Sequence, residues 1–199
     1  AIAGVNGVAL SITRAIESEG ATILGGDIRF ELNQRTVTAD ERDFLARSGR
    51  LSEVAGLRSM ALKLDRSDQA LVEVKGVDSA WPLYGAATLV PAVPLDEAFA
   101  VKDGVPGAAA PQLLFDRLGL AVGDRIRLGE AEVELRAVLA AEPDLASDGF
   151  GLAPRLLMGL DGLAVTGLVQ PGSLVEHGYK LALPAGADVE AFRAEAEKR

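Results

Sequence analysis

The sequence predicts an α+β fold, and three observations carry that expectation. Short segments with two-residue apolar alternation recur along the chain, the pattern of half-buried strands: DIRFEL at 27–32, residues 57–65, QALVEVKGV at 69–77, the run from Arg125 to Val138, and SLVEHGYKLAL at 173–183. Capped, helix-period segments stand among them. Strands and helices do not alternate regularly, which argues against a doubly wound parallel sheet. With 199 residues, 49% of them hydrophobic, the chain is long enough for one or two packed domains and too apolar to be a disordered tail.

The first dozen residues, AIAGVNGVALSI, are small and apolar, and polarity rises from Ser11 through TRAIESEG. Two readings are open: a buried N-terminal helix, or the outer end of a membrane helix, since the stretch is shorter than the roughly 20 residues that span a bilayer. The start at Ala1 in place of Met reads as a processed or excised piece. After Gly25-Gly26, Ile28, Phe30 and Leu32 share one strand face. Thr38 and Glu41 have capping-box spacing, predicting a helix to about Ser48 that Gly49 ends, with Phe44 and Leu45 facing inward. The strands at 57–65 and 69–77 are separated by a short polar link, which predicts a hairpin.

Between Trp81 and Pro111 the composition shifts, with Pro82, Pro91, Pro94 and Pro106 among glycines and alanines, and a subdomain boundary is expected there. Pro111 opens a short helix carrying Leu114 and Leu118, stopped by Gly119. Ile126 and Leu128, then Val133, Leu135 and Ala137, alternate with charges about the Gly129-Glu130 turn and predict a β-hairpin. A second irregular stretch follows Pro143; Arg155–Gly159 reads as extended, and LDGLAVTG as a short helix stopped at Gly167. In the 173–183 strand, Leu174, Glu176, Gly178 and Lys180 fall on one face, and Val175, His177, Tyr179 and Leu181 on the other. Asp188 caps a last helix lined by Val189, Phe192 and Ala196.

The inventory excludes much chemistry. Cysteine is absent, so disulfides and zinc-thiolate sites are impossible, and the single histidine, His177, cannot build a multi-histidine metal site. There is no P-loop, G-x-G-x-x-G or G-x-S-x-G sequence. A net charge of −9 argues against a nucleic-acid partner. No catalytic, cofactor-binding or metal-ligating residue is assigned: His177 reads as structural, Asp27 as following a glycine turn, Asp40, Glu41 and Asp43 as a helix's acidic first turn, and Asp144 and Asp148 lack calcium-loop spacing. Trp81, Leu83 and Tyr84 are the candidate interaction surface, since aromatics beside proline at a domain edge dock against something; packing between subdomains is the plainer explanation.

Four segments in order resemble the extracytoplasmic domain of ABC-transporter permeases of the MacB/FtsX superfamily, in its YbbP-like branch. They are ILGGDIRFEL; the stretch from Val74 to Gly85, with Lys75, Val77, Asp78, Trp81, Pro82 and Leu83 in a V-K-x-V-D-x-x-W-P-L-x-G pattern; LFDRLGLAVGDRIRLGEAEVELRAVL; and FGLAPRLLMGLDGLAVTGLVQPGS. The resemblance implies a two-part MacB-like periplasmic domain. A porter-like α+β subdomain would comprise 1–85 and 152–199, and a small β-rich, Sabre-like subdomain would be inserted at 86–151. It also favours the membrane-end reading of the first dozen residues.

The function it implies is that of a non-enzymatic domain at the bacterial inner membrane, facing the periplasm and moving with the helices that flank it. A separate cytoplasmic ABC ATPase subunit would bind ATP, this domain would hold no cofactor, and a second permease copy would complete the assembly. A periplasmic protein or lipid partner is expected, with cargo in the lipid, lipoprotein or lysophospholipase-related class. Two rivals stand beside it. One is a free-standing periplasmic module binding a ligand or protein in an apolar cleft lined by 81–95. The other is a hydrolase using Ser147 or Ser173 with His177, which geometry disfavours: four strand residues put Ser173 about 13 Å from His177.

Overall fold

A computed structural model describes residues 26–33, 35–144, 153–196 and 198. The sequence-predicted N-terminal helix, the irregular stretch at 145–152 with Ser147 and Asp148, and Arg199 lie outside the described residues.

The organising element is β2 (Arg50–Lys63), fourteen residues long. Along one edge it pairs with β3 (Gln69–Val77). Along the other it pairs first with β10 (Glu176–Ala182) through 50–56, then with β7 (Arg125–Leu128) through 61–63. β3 continues in parallel to β9 (Arg155–Gly159), which pairs with β6 (Val105–Ala110). Parallel to β6 runs β8 (Ala131–Ala141), and β8 returns through a tight hairpin to β7. The six strands β2, β3, β9, β6, β8 and β7 thus close into a ring, which leaves no open edge along that path.

Alternation decides what fills the ring. Val72 and Val74, Ala108 and Ala110, Ile126 and Leu128, Val133 and Leu135, and Leu156 and Met158 all belong to one buried cluster. Leu114, Phe115 and Leu118 of α3 (Gln112–Leu118) join it, as do Leu163 of α4 (Leu160–Val165) and Val175. Gly119 ends α3 at φ 61°, a left-handed conformation that glycine adopts without a Cβ penalty. Segments 1–85 and 152–199 contribute β2, β3 and β9 to the ring, and 86–151 contributes β6, β7 and β8.

A second layer extends from the first half of β2. β10 lies between β2 and β1 (Ile28–Asn33), antiparallel to both. One face of these strands is covered by α1 (Ala39–Ser48) and α5 (Val189–Ala196). Ile28, Phe30, Leu32, Leu45, Tyr179 and Leu181 form its core, against which Val189, Phe192 and Ala196 pack; Phe44 stacks on Phe192 at 5.5 Å. The capping box is present, with the Thr38 hydroxyl accepting from the Glu41 amide and the Glu41 carboxylate accepting from the Thr38 amide.

The expected α+β class is the observed one, and three local expectations shift. β2 begins at Arg50, where strand pattern was expected only from 57; Ser52 replaces an apolar residue on a buried face because its hydroxyl donates to Asp78. The 81–111 stretch contains regular structure: β4 (Thr88–Val90) on β8, α2 (Leu95–Phe99), β5 (Val101–Lys102) and β6. The last strand starts at Glu176, so Ser173 lies in a turn, where its hydroxyl donates to the Leu168 carbonyl and accepts from the Gln170 amide.

Candidate functional site: a buried ion network beside an acid-rimmed cleft

The face of the sheet opposite the ring interior is covered by the chain between β3 and α2. That chain is fixed at three places. Directly after β3, the Asp78 carboxylate accepts from the Ser52 hydroxyl (2.9 Å) and from the amides of Glu53 (2.7 Å), Ala80 (3.2 Å) and Trp81 (3.1 Å), which clamps the turn to β2. Trp81 then enters a buried cluster with Val77, Leu89, Phe99, Leu139 and Leu157. Its indole Nε1 donates to Asp144 at 3.0 Å. Finally, the Tyr84 hydroxyl donates to Asp27 (3.2 Å), the same carboxylate oxygen that accepts the Leu183 amide at 2.8 Å.

Asp144 is the hub of a set of charges removed from water. Lys75 from β3 donates to Glu142 at 2.5 Å and to Asp144 at 2.9 Å, and Lys180 from β10 also pairs with Asp144. Arg155 approaches Glu142 at 3.6 Å, and the Lys75 ammonium sits 5.1 Å from the centre of the Trp81 ring, within cation–π range. The side chains of Lys75, Lys180, Glu142 and Asp144 are each at most 2% exposed. Burial by itself would raise the Asp144 pKa, but the ammoniums of Lys75 and Lys180 outweigh it and hold the carboxyl well below the usual range. Such a cluster is expensive to desolvate; Lys75, Lys180 and Asp144 are compensated by close pairing, whereas the buried Arg155 Nε and Glu142 Oε2 face each other at 3.6 Å without a hydrogen bond. Chemically it is a clamp joining β3, β10 and the chain after β8.

The three residues proposed from sequence as an interaction surface are therefore placed unequally. Trp81 is 4% exposed and Leu83 6%, both packed inside this chain, while Tyr84 is half-buried with its ring 5.7 Å from the Arg50 guanidinium. Burial, then the neighbouring Asp27 charge, pushes the Tyr84 phenol pKa up. The V-K-x-V-D-x-x-W-P-L-x-G stretch acquires a physical account: Lys75 and Trp81 meet at Asp144, Val77 and Leu83 are buried, Asp78 clamps the turn, and Gly85 sits at φ 73°.

Beside Trp81 lies a half-open cleft of 610 Å³ with Val77, Leu95, Phe99 and Leu160 on its apolar walls. Among the described residues three aspartates, Asp78, Asp96 and Asp161, line it, and no basic residue does. Sequence reasoning missed the ion network, and of the apolar cleft it offered along 81–95, Trp81 and Leu95 line this one beside residues from 77–79, 96–101 and 159–161. Lys75 and Lys180 alternate with apolar residues as solvent-facing strand lysines do, and only the covering 78–99 and 142–144 segments reveal that this face is buried.

The other titratable group of note, His177, lies half-buried between Leu32 and Ala55 on neighbouring strands. Its Nδ1 is enclosed with no hydrogen-bond partner among the described residues. Burial lowers its pKa, with Glu53 opposing. Glu53 is already engaged by Arg42 at 2.5 Å and by the Tyr179 hydroxyl at 3.4 Å. Among the described residues no group of three or more His, Asp or Glu side chains could hold a metal ion, and no helix is long and apolar enough to cross a membrane.

No protein-family profile matches the chain. An uncharacterized ABC transporter permease, YbbP of Escherichia coli strain K12, is 37% identical over 110 residues, which is 55% of this chain and 13% of that protein. The chain thus corresponds to a small part of that relative's length. In structure it is similar to the periplasmic region of MacB from Actinobacillus actinomycetemcomitans, with a TM-score of 0.55 at 8% identity, covering 82% of this chain and 72% of that one. It is also similar to the extracellular domain of the noncanonic ABC-type transporter YknZ from Gram-positive bacteria, with a TM-score of 0.53 at 11% identity and 81% of each chain covered. The chain is a MacB-like domain by fold and, across those 110 residues, a sequence relative of an ABC-transporter permease.

Proposed function

We propose that this chain is the periplasmic domain of an inner-membrane ABC permease and relays movement between flanking membrane helices and a partner outside the membrane. The observation that carries the reading is how the chain enters and leaves the sheet. Ile28 pairs with Leu181, the Asp27 amide donates to the Leu181 carbonyl at 2.9 Å, and the Leu183 amide donates to the Asp27 carboxylate. The start of β1 therefore lies beside the end of β10, and the closing helix α5 packs on the same outer layer, as suits a domain looped between two membrane helices. The ion network supports a mechanical role, because Lys180 on β10 and Lys75 on β3 are tied through Asp144, so a pull on β10 reaches the ring as well as the outer layer.

In this reading the domain itself catalyses nothing and holds no cofactor. ATP is hydrolysed by a separate cytoplasmic subunit, and two permease copies assemble. The segment 86–151 acts as the Sabre-like part of the domain, with the porter-like part in 1–85 and 152–199. Export of a lipid, lipoprotein or lysophospholipase-related cargo rests on the sequence resemblance alone. The cleft beside Trp81 favours a second reading, a free-standing periplasmic binding module. Determining the gene sequence on both sides of the chain separates the two. Apolar segments of about 20 residues before Ala1 and after Arg199 fit the permease; polar flanks on both sides overturn it.

A further inference from the structure

We infer that the cleft beside Trp81 is a docking site for an apolar segment of a protein partner that carries lysine or arginine. This rests on the cleft itself and holds whether or not the chain belongs to a permease. The walls contributed by Trp81, Leu95, Phe99 and Leu160 supply apolar contact, and Val101 at the rim is 38% exposed. Charge selects the occupant. Asp96 and Asp161 are exposed at the rim, and neither has an ion-pair partner among the described residues, whereas Asp78 is consumed by the four hydrogen bonds that clamp its turn. With no basic residue lining the cleft among the described residues and a chain charge of −9, a cationic partner is steered in and a second copy of this chain is repelled.

Shape favours a polypeptide over a small molecule. Small-ligand sites bury roughly 70–90% of their ligand, which a cleft open on one side favours less than an enclosed cavity does. A segment that continues beyond both ends of the cleft has no such requirement. The floor is preorganised, because the Trp81 ring is held from behind by its bond to Asp144 and by the Lys75 ammonium, so docking orders little that is not already ordered.

The test uses the 199-residue chain, labelled with ¹⁵N, and three probes: an acetylated, amidated hexapeptide alternating leucine and lysine, its glutamate-for-lysine twin, and dodecyltrimethylammonium as a small cationic amphiphile. The leucine–lysine peptide is expected to shift the Trp81 indole resonance and the amides of Leu95, Val101 and Leu160. The glutamate twin should bind roughly tenfold more weakly or not at all. The double variant Asp96→Asn/Asp161→Asn should weaken the lysine peptide by about three- to tenfold; both side chains are exposed and lie in the first turns of α2 and α4, so the variant's melting temperature should fall by no more than a few degrees. Equal binding of both peptides, shifts located elsewhere, or no shift at millimolar peptide would overturn the inference. So would binding of the amphiphile without the peptide, which would make this a small-molecule site.

Discussion

Replacing Asp144 by asparagine keeps the shape of the side chain and removes a negative charge that Lys75 and Lys180 both face. Among the described residues, the buried or near-buried ionic groups Lys75, Lys180, Arg155, Glu142 and Asp144 carry three positive and two negative charges, and the variant removes one of the two negative ones. Removing one member of a buried ion pair typically costs about 3–5 kcal/mol, because the remaining charges stay desolvated. For a chain of this size each kcal/mol moves the melting temperature by about 2–4 °C, so the expected drop is about 6–20 °C. The assay is thermal and urea unfolding at pH 7 followed by far-ultraviolet circular dichroism. Asp144→Asn/Lys180→Met removes a charge of each sign and should recover more than about 1 kcal/mol relative to the sum of the single variants. A loss below about 1 kcal/mol for Asp144→Asn, or strict additivity in the double variant, would refute the clamp. The pH dependence has a definite sign. The folded-state pKa of Asp144 lies below its unfolded value, so its stabilisation is complete above about pH 5 and is lost as acid titrates the carboxyl below that.

Other expectations test separate parts of the fold. Gly107→Ala would place a Cβ 2.0 Å from the Ala98 carbonyl oxygen and 2.3 Å from the Arg136 guanidinium, and should cost about 2–3 kcal/mol in urea unfolding. Arg136 donates to the carbonyls of Glu97, Ala98, Ala100 and Val105, so Arg136→Met should speed amide exchange across 97–107 well before global unfolding. Thr38→Ala removes the capping hydroxyl of α1 and should cost about 1 kcal/mol by the same melt. Because burial lowers the His177 pKa in the folded state, the unfolded chain binds the extra proton; stability from this group is full above about pH 6.5 and falls as pH drops below it. His177→Gln should flatten the stability profile between pH 7 and 5.

What could be read from sequence follows the physics of each element. The hairpin at 125–141, the capped helix at 39–48, the first half of β3 and the last helix expose one polar face, so period and capping signals identify them; Val189, Phe192 and Ala196 do line the packed side of α5. β6 gave no such signal. Its Ala108, Ala109 and Ala110 are all fully buried, one face in the ring and the other under α2, so no polar alternation exists to mark a strand. β2 was truncated in the same way, because Ser52 and Arg50 interrupt its pattern while serving hydrogen bonds to Asp78 and to the Leu83 carbonyl. The ion network was hidden for a stronger reason. A lysine on a strand carries no mark of whether its face will be covered, and the cover here comes from residues some 70 positions from Lys75 and 36 from Lys180. Trp81 stood out in the sequence, and the structure explains its prominence through its position between the Asp144 carboxylate and the cleft.

The central claim, that this chain faces the periplasm as part of a membrane permease, is tested most directly by its accessibility in intact cells. The chain contains no cysteine, and Leu174 is 80% exposed in a turn before β10, so Leu174→Cys in the full-length protein places one thiol on the surface of this domain. In cells whose outer membrane alone has been permeabilised, a maleimide that cannot cross the inner membrane should label this thiol, and the labelled protein should sediment with the inner membrane. Labelling only after the inner membrane is lysed, or recovery of the labelled protein free of membrane, would contradict the account.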